Sequence, residues 1–470
     1  MSPPPEDTID LLINGKEVLC AKEYDVVIDY MTTPATFSMT VGSGRTVLDL
    51  MRAFPPNSLF ALRVNGIVQF VGYTDGWDRV GGGAAEIAIS GRDRMAQLIR
   101  DHIENERSFT NATFEDLASA AIKGAGITES TLFYDAASLR AAVSGTPIVD
   151  SKTVSTTTKS APVVGKSAGP ELVITGVSEG AGVIFGVADV RQGTTTVETT
   201  QKKVVSMITG FKAEKPIKWE SGETWFGAAK KDFDRAGIFM RAGVDPDGLD
   251  PNVFFLGTPD GQQPAKFWLL NTRREGTPDN AVLVGPPEVR YVMTGRHSEY
   301  VVLGQAGGGK DGRKQVIGRF HDAEAAAAGI TAKLVKKDPQ AKNTRQADFL
   351  ARKLCAEERR ANRSFTYTIL HRHTVPLISD PKTRIVPCPD LVGHVRDDEI
   401  GLNAPLWVQR VQHHKGLGSG TYTKLTLIDP EDLVFGADDP GAPVPGRPTK
   451  KHTRKKCSPS TPARPRSPSS

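Results

Sequence analysis

A mainly β chain with small α/β inserts is the fold class this sequence predicts, and three observations carry the expectation. Glycine and proline are plentiful, 46 and 32 among 470 residues, which favours turns and disfavours long helices. Asn65-Gly66 separates two apolar, β-prone runs, "LFALRV" and "IVQFVGY". A tight turn with positive φ at both central positions is what Asn-Gly between such runs specifies. Strand-like runs also gather in two blocks, one within residues 8–100 and one within 288–435, with mixed helix and strand patterns between them.

In the first block the hairpin around Asn65-Gly66 is followed, after Gly81-Gly82-Gly83, by a third strand, "AEIAIS". Beyond Gly91 the period changes, and "RDRMAQLI" places Met95, Leu98 and Ile99 at helical spacing. Residues 101–170 read as a short helical segment and a linker. Thr113 is the candidate N-cap, Glu115 and Asp116 lie in the first turn, and Gly124 is the stop. The stretch 150–170 is small, polar and aperiodic. Strand patterns resume over 171–221 in "ELVITGV" and "GVIFGVADV".

Residues 222–287 read as a small α/β insert: an amphipathic helix in "ETWFGAAKKDFDRAG", then two strands turning at Asp245-Pro246-Asp247-Gly248. In the 288–435 block, "SEYVVLG" and "RKQVIGRF" read as strands and Thr344–Asn362 as a long helix. "RSFTYTIL", "PLWVQRVQHH" and "TYTKLTLID" close it as strands, the last two joined by "KGLGSG". Residues 436–470 hold almost no large apolar side chain, and the final 31 hold eight prolines, so this tail is expected to be disordered.

The total charge of +5 is uneven. Eight Lys/Arg and no acid lie from Pro440 onward, which leaves −3 for residues 1–439. A mildly acidic body argues against a nucleic-acid-binding one, whose footprint is a basic face. The tail cluster Lys450–Lys456 reads more simply as a solubilising end than as an anion-binding patch. No run approaches the length of an apolar membrane span, and the N-terminus lacks the pattern of a secretory signal. Cys20, Cys355, Cys388 and Cys457 have no short spacing and are expected to be free thiols.

Three motifs invite chemistry. Gly304, Gly309 and Lys310 match most of a phosphate-binding loop, but Asp311 stands where the magnesium-binding hydroxyl belongs. A β-branched run follows instead of a helix, so a hairpin loop is the reading. His371 and His373 end a strand, with Cys388 and His394 downstream as conceivable zinc ligands. Their spacing matches no recurrent zinc signature, and solvent-facing strand histidines are the plainer reading. His413-His414 read as turn residues at a strand end. No paired carboxylates or nucleophile elbow stand out. No catalytic, cofactor-binding or metal-binding residue is assigned, and no enzyme activity is expected.

The order of elements resembles a known family. "FALRVNGIVQFVGYTDGWDRVGGGAAEIAISGRDRMAQLI" is similar to the opening module of baseplate hub proteins of Mu-like contractile-tailed phages. Val64, Asn65, Gly66, Val68, Gly72, Tyr73, Ser90, Gly91 and Arg92 occupy its pattern. "SEYVVLGQAGGG", "QADFLARKLCAEERRANRSFTYTIL" and "LWVQRVQHHKGLGSGTYTKLTLIDPEDLVF" resemble the second module. The 140–215 region, "SDPKTRIVPCPDLVGH" and the basic tail depart from the pattern.

The resemblance implies two β-barrel-like tube modules per chain and a trimeric, pseudo-hexameric ring. Such a ring joins the tail tube to a central spike at the virion baseplate, after assembly in the host cytoplasm. DNA would pass its channel without specific binding, and no membrane insertion is implied. A hub with cell-wall-cleaving activity and the hub of a phage-derived injection machine are the alternatives.

Overall fold

The computed structural model describes residues 7–134 and 217–433, apart from short stretches within them. Seven strands open the chain: β1 (Ile9–Ile13), β2 (Lys16–Glu17), β3 (Ala21–Asp29), β4 (Thr36–Gly42), β5 (Leu59–Val64), β6 (Ile67–Arg79) and β7 (Glu86–Asp93). A mixed region follows with α1 (Met95–Arg100), β8 (Arg107–Phe109), α2 (Phe114–Gly124), β9 (Thr131–Tyr134), β10 (Ile217–Trp219), α3 (Trp225–Ala236), β11 (Phe239–Ala242) and β12 (Val253–Gly257). Then come β13 (Phe267–Leu270), β14 (Val282–Leu283), β15 (Glu288–Tyr291), β16 (Glu299–Gln305), β17 (Gln315–His321), α4 (Ala323–Ala327), β18 (Lys333–Lys337) and α5 (Thr344–Asn362). The last strands are β19 (Arg363–Leu370), β20 (Val375–Pro376), β21 (Arg384–Ile385), β22 (Val392–Asp397), β23 (Leu402–Gly416) and β24 (Gly420–Ile428), before a 3-10 turn at Pro430–Asp432.

The first hairpin forms as its sequence specifies. Asn65 and Gly66 both take positive φ, 50° and 78°, and Val64 faces Ile67 across the turn. β7 alternates strictly, with Ile87, Ile89 and Gly91 facing inward. Ile87 and Ile89 join Val26, Phe37, Met39, Phe60 and Leu62 in one core.

The mixed region has its own core around Leu117, Trp219, Trp225, Phe233 and Phe254. α3 starts where the Thr224 side chain accepts from Gly227 N–H (3.0 Å) and stops at Gly237, with φ of 69°. β9 and β11 flank β12 in a three-stranded sheet, and β8 pairs with β10. The expected turn at 245–248, the N-cap at Thr113 and the strand runs between 171 and 190 lie outside the described residues.

Fourteen strands share the large sheet, and β23 is its hinge line. One edge of β23 runs along β24, which in turn pairs with β19 and β19 with β15. Its other edge is divided close to where the pairing with β24 shifts register between Val408 and Arg410. Residues 402–407 pair with β22, whereas residues 410–415 pair with β3 of the opening block. From β3 the sheet continues β4-β7-β6-β5-β1-β2, and from β22 it continues β13-β14. Residues 267–283 thus pair into this sheet rather than with the neighbouring helices.

No closed barrel is formed among the described residues. Pairing of β3 with β23 instead joins the opening and closing blocks in one sheet. A separate sheet, β17-β16-β18, is covered on one face by α5. Gly318 permits that close approach, since a Cβ there would stand 2.0 Å from the Ala347 carbonyl carbon.

Candidate functional site

The seam between the opening and closing blocks is polar at its centre. Period-two alternation along β23 sends His413 inward with Val411 and leaves His414 outward. His413 faces Val26 of β3 on one side and Thr423 of β24 on the other. His373 arrives from the turn after β19 and packs edge-on against His413, with ring centroids 5.0 Å apart. His373, His413 and Thr423 are all fully buried.

The hydrogen bonds assign the protons. Thr423 Oγ1 donates to the Arg372 carbonyl (2.9 Å), so it must accept from His373 Nδ1 (2.8 Å) and His413 Nδ1 (3.0 Å). His373 Nε2 is then a bare acceptor, and Tyr24 O–H donates to it (2.7 Å). His413 Nε2 is also bare and has no partner. Burial is the main reason both imidazoles stay neutral, lowering His373 to about 4 and His413 to about 3.

Asp7 fastens the turn that carries His373. It accepts from the N–H groups of His373 (2.6 Å) and Thr374 (2.8 Å), and from Asn65 Nδ2 (2.6 Å). Burial raises its pKa, but these bonds outweigh it and the net shift is downward. The Asn65-Gly66 turn therefore has a second use: its side chain holds the carboxylate that holds the histidine turn.

A second polar cluster binds the closing block together. Asp322 is fully buried and caps α4 through Glu324 N–H (3.2 Å) and Ala325 N–H (3.3 Å). It also accepts from Arg296 Nη2 and Arg359 Nη2, each at 2.6 Å. Burial raises its pKa, yet Arg359 and Arg296 hold it far below the ordinary carboxylate range. One turn further along, Arg363 Nη2 reaches Asp429 (3.1 Å) and Asp432 (2.9 Å). Cys355 lies against Asp322, and burial pushes its thiol up to about 12.

The sequence candidates fall as follows. β16 and β17 pair antiparallel down to Gln305 and Gln315, and a strand, not a helix, follows the glycine loop. The loop itself, 306–314, lies outside the described residues, as do the 436–470 tail, Cys20 and Cys457. His373 and His413 correct the expectation of solvent-facing or turn histidines. The strand ends at Leu370, and His371 takes φ of 60°, so alternation fails and His373 swings inward. His413 is inside β23, not in its turn.

His394 Nε2 pairs with Asn403 (2.9 Å), and its ring lies 3.9 Å from that of Trp268. Cys388 is a free thiol raised to about 11 by burial. No group of three metal-ligating side chains is assembled among the described residues. The Asp322 cluster was missed in the sequence, although Arg359 in the last turn of α5 and Arg363 at the start of β19, four residues apart, are the spacing that would flag it. What both clusters offer is cohesion between distant segments rather than an accessible acid, base or nucleophile.

No family model matches this chain, and no curated protein matches it in sequence. Among solved structures it is similar to the tail protein from Neisseria meningitidis MC58, at 15% identity with a TM-score of 0.58, covering 91% of this chain and 99% of that one. It is similar also to the 43 kDa tail protein of prophage MuSo2 from Shewanella oneidensis. There the identity is 13% and the TM-score 0.59, over 90% of this chain and 99% of that one. At such identities the likeness is one of fold, and it runs almost the full length of both tail proteins. The chain shares the fold of these phage tail proteins.

Proposed function

We propose that this chain is the structural baseplate hub of a contractile phage tail. Three copies would form a pseudo-hexameric ring that joins the tail tube to a central spike and surrounds part of the path of ejected DNA. The observation that carries this reading is the extent of the fold likeness, 99% of each of two tail proteins rather than one shared module. The motif resemblance in 8–100 and 288–435 supports taking these blocks as the two tube-facing modules, with the mixed region from α1 to β12 attached outside them. A body charge of −3 is compatible with DNA passing unbound. In this reading the chain has no catalysis of its own.

Light scattering on the purified protein tests the ring: three chains per particle are expected. Electron microscopy of tails labelled against this chain should show it at the baseplate. A strict monomer at every concentration, with label elsewhere on the tail, would refute the hub. Release of soluble fragments from cell-wall peptidoglycan by the purified chain would favour the enzymatic alternative instead.

A further inference from the structure

Two turns of the opening block share the dipeptide Asn-Gly, and the structure holds them differently. Asn14-Gly15 joins β1 to β2, and Asn65-Gly66 joins β5 to β6. Their backbones are nearly alike, with φ of 49° and 75° in the first and 50° and 78° in the second, and all four residues are exposed. Before glycine an asparagine amide is lost most readily, because glycine has no side chain to shield its backbone nitrogen. The reaction needs the Asn Cγ to swing onto that nitrogen, so a turn held shut and an amide held fast both suppress it.

Asn65 is held at both ends of its amide. Its Nδ2 donates to Asp7 (2.6 Å) and its Oδ1 accepts from Thr8 N–H (2.8 Å). Its turn closes two strands that are each paired on the far side as well, β5 with β1 and β6 with β7. Among the described residues the Asn14 amide has one partner, Ser58 Oγ, to which its Nδ2 donates (3.1 Å). Its turn leads into β2, two exposed residues at the end of the sheet, paired on one side to Leu12 and Ile13. A short edge strand of this kind opens at little cost in free energy, whereas a turn between strands of the sheet interior opens with much of the fold.

We propose that Asn14 is a site of spontaneous deamidation in the folded protein, and that Asn65 is spared until the chain unfolds. When β2 frays, the Gly15 backbone nitrogen attacks Asn14 Cγ. The new N–Cγ bond replaces Cγ–Nδ2, and Nδ2 leaves as ammonia with the proton from Gly15. Water then opens the cyclic imide at either carbonyl, giving aspartate or isoaspartate with no change of oxidation state. The product brings a negative charge to a turn that already holds Glu17, and isoaspartate also lengthens the backbone, so the turn no longer fits the β1–β2 register. The same change at Asn65 would set a carboxylate against Asp7 and undo the clasp on the His373 turn.

Peptide mapping by mass spectrometry of the full chain, held in mildly alkaline buffer with and without urea, tests this. Deamidation is read as a mass gain of water minus ammonia in each peptide. In buffer the Asn14 peptide should convert at least about tenfold faster than the Asn65 peptide, and in urea, which opens both turns, the two rates should come within about threefold. Asp7→Ala should raise the Asn65 rate in buffer and leave the Asn14 rate unchanged. Thermal melting shows whether that variant folds, and the wild-type comparison decides the matter if it does not. Equal rates in buffer, no conversion of Asn14 in the folded protein, or a preference for Asn14 that persists in urea would overturn the proposal. So would an unchanged Asn65 rate in folded Asp7→Ala.

Discussion

His413 makes stability depend on pH in a direction the structure dictates. Its imidazole must stay unprotonated in the fold, where its pKa is about 3, but takes up a proton at about 6.5 once the chain unfolds. Between these values the unfolded chain binds the extra proton, so stability is whole above pH 6.5 and falls as the pH is lowered. The loss is about 1.4 kcal/mol per pH unit, or roughly 2 kcal/mol on going from about pH 7.5 to about pH 5. His373, at about 4, adds a similar fall over the same window. Asp93 works the opposite way, because burial raises its pKa to about 7 and the folded state then holds a proton that the unfolded chain releases. A raw pH curve therefore mixes terms of both signs.

Replacing His413 with leucine separates them. The variant loses one donor to Thr423, which His373 still supplies, and it also loses the orphaned Nε2, so its cost near neutral pH should be about 1 kcal/mol or less. Urea unfolding of both proteins across the pH range is the assay. The wild type should lose roughly 2 kcal/mol more than His413→Leu by about pH 5. Parallel curves would show that the ring is already charged, or reached by water, and would refute the proton assignment.

Gly318→Ala should destabilise by about 2 kcal/mol or more, because its Cβ would meet the backbone of α5 at Ala347; denaturant midpoints measure this. Asp322→Ala leaves Arg296, wholly buried, with Glu324 as its remaining carboxylate partner, and should cost about 3–5 kcal/mol by the same measurement. Cys355, buried and with a raised pKa, should resist a thiol reagent in the folded protein and react on unfolding, which mass spectrometry of the site would follow. If the chain forms the proposed ring, truncation after Phe435 should leave it intact. Trimers that form but fail to complete tails would give the basic end a partner, whereas loss of the trimer would show that core structure runs past residue 440.

Local signals in the sequence were the reliable ones. Asn65-Gly66 determines its own turn, Thr224 and Gly237 bracket α3, and the helical period of α5 survives from Thr344 to Asn362, since each needs only neighbouring residues. His413 was legible in part: standing two residues beyond Val411, it had to share the inward face. His373 was not, because its strand stops at Leu370 and the left-handed turn at His371 resets the alternation. Pairing of β23 with β3 left no local trace either. Alternation says which face of a strand is buried but not which strand lies beside it, so two blocks read as separate barrels could be one sheet.

That pairing also sets a timetable for making the protein. Asp29 of β3 waits for Arg410 of β23, a partner 381 positions later in the chain. At roughly 5–20 residues per second of synthesis, the strand stays without it for about 20–75 s. Throughout that interval the nascent opening block presents a bare β edge to its surroundings. Closure comes only when the β23–β24 hairpin leaves the ribosome and pairs with β3. The fold therefore has a long, exposed adolescence, and conditions that slow translation near the end of the message should lower its yield more than those that slow it near the start.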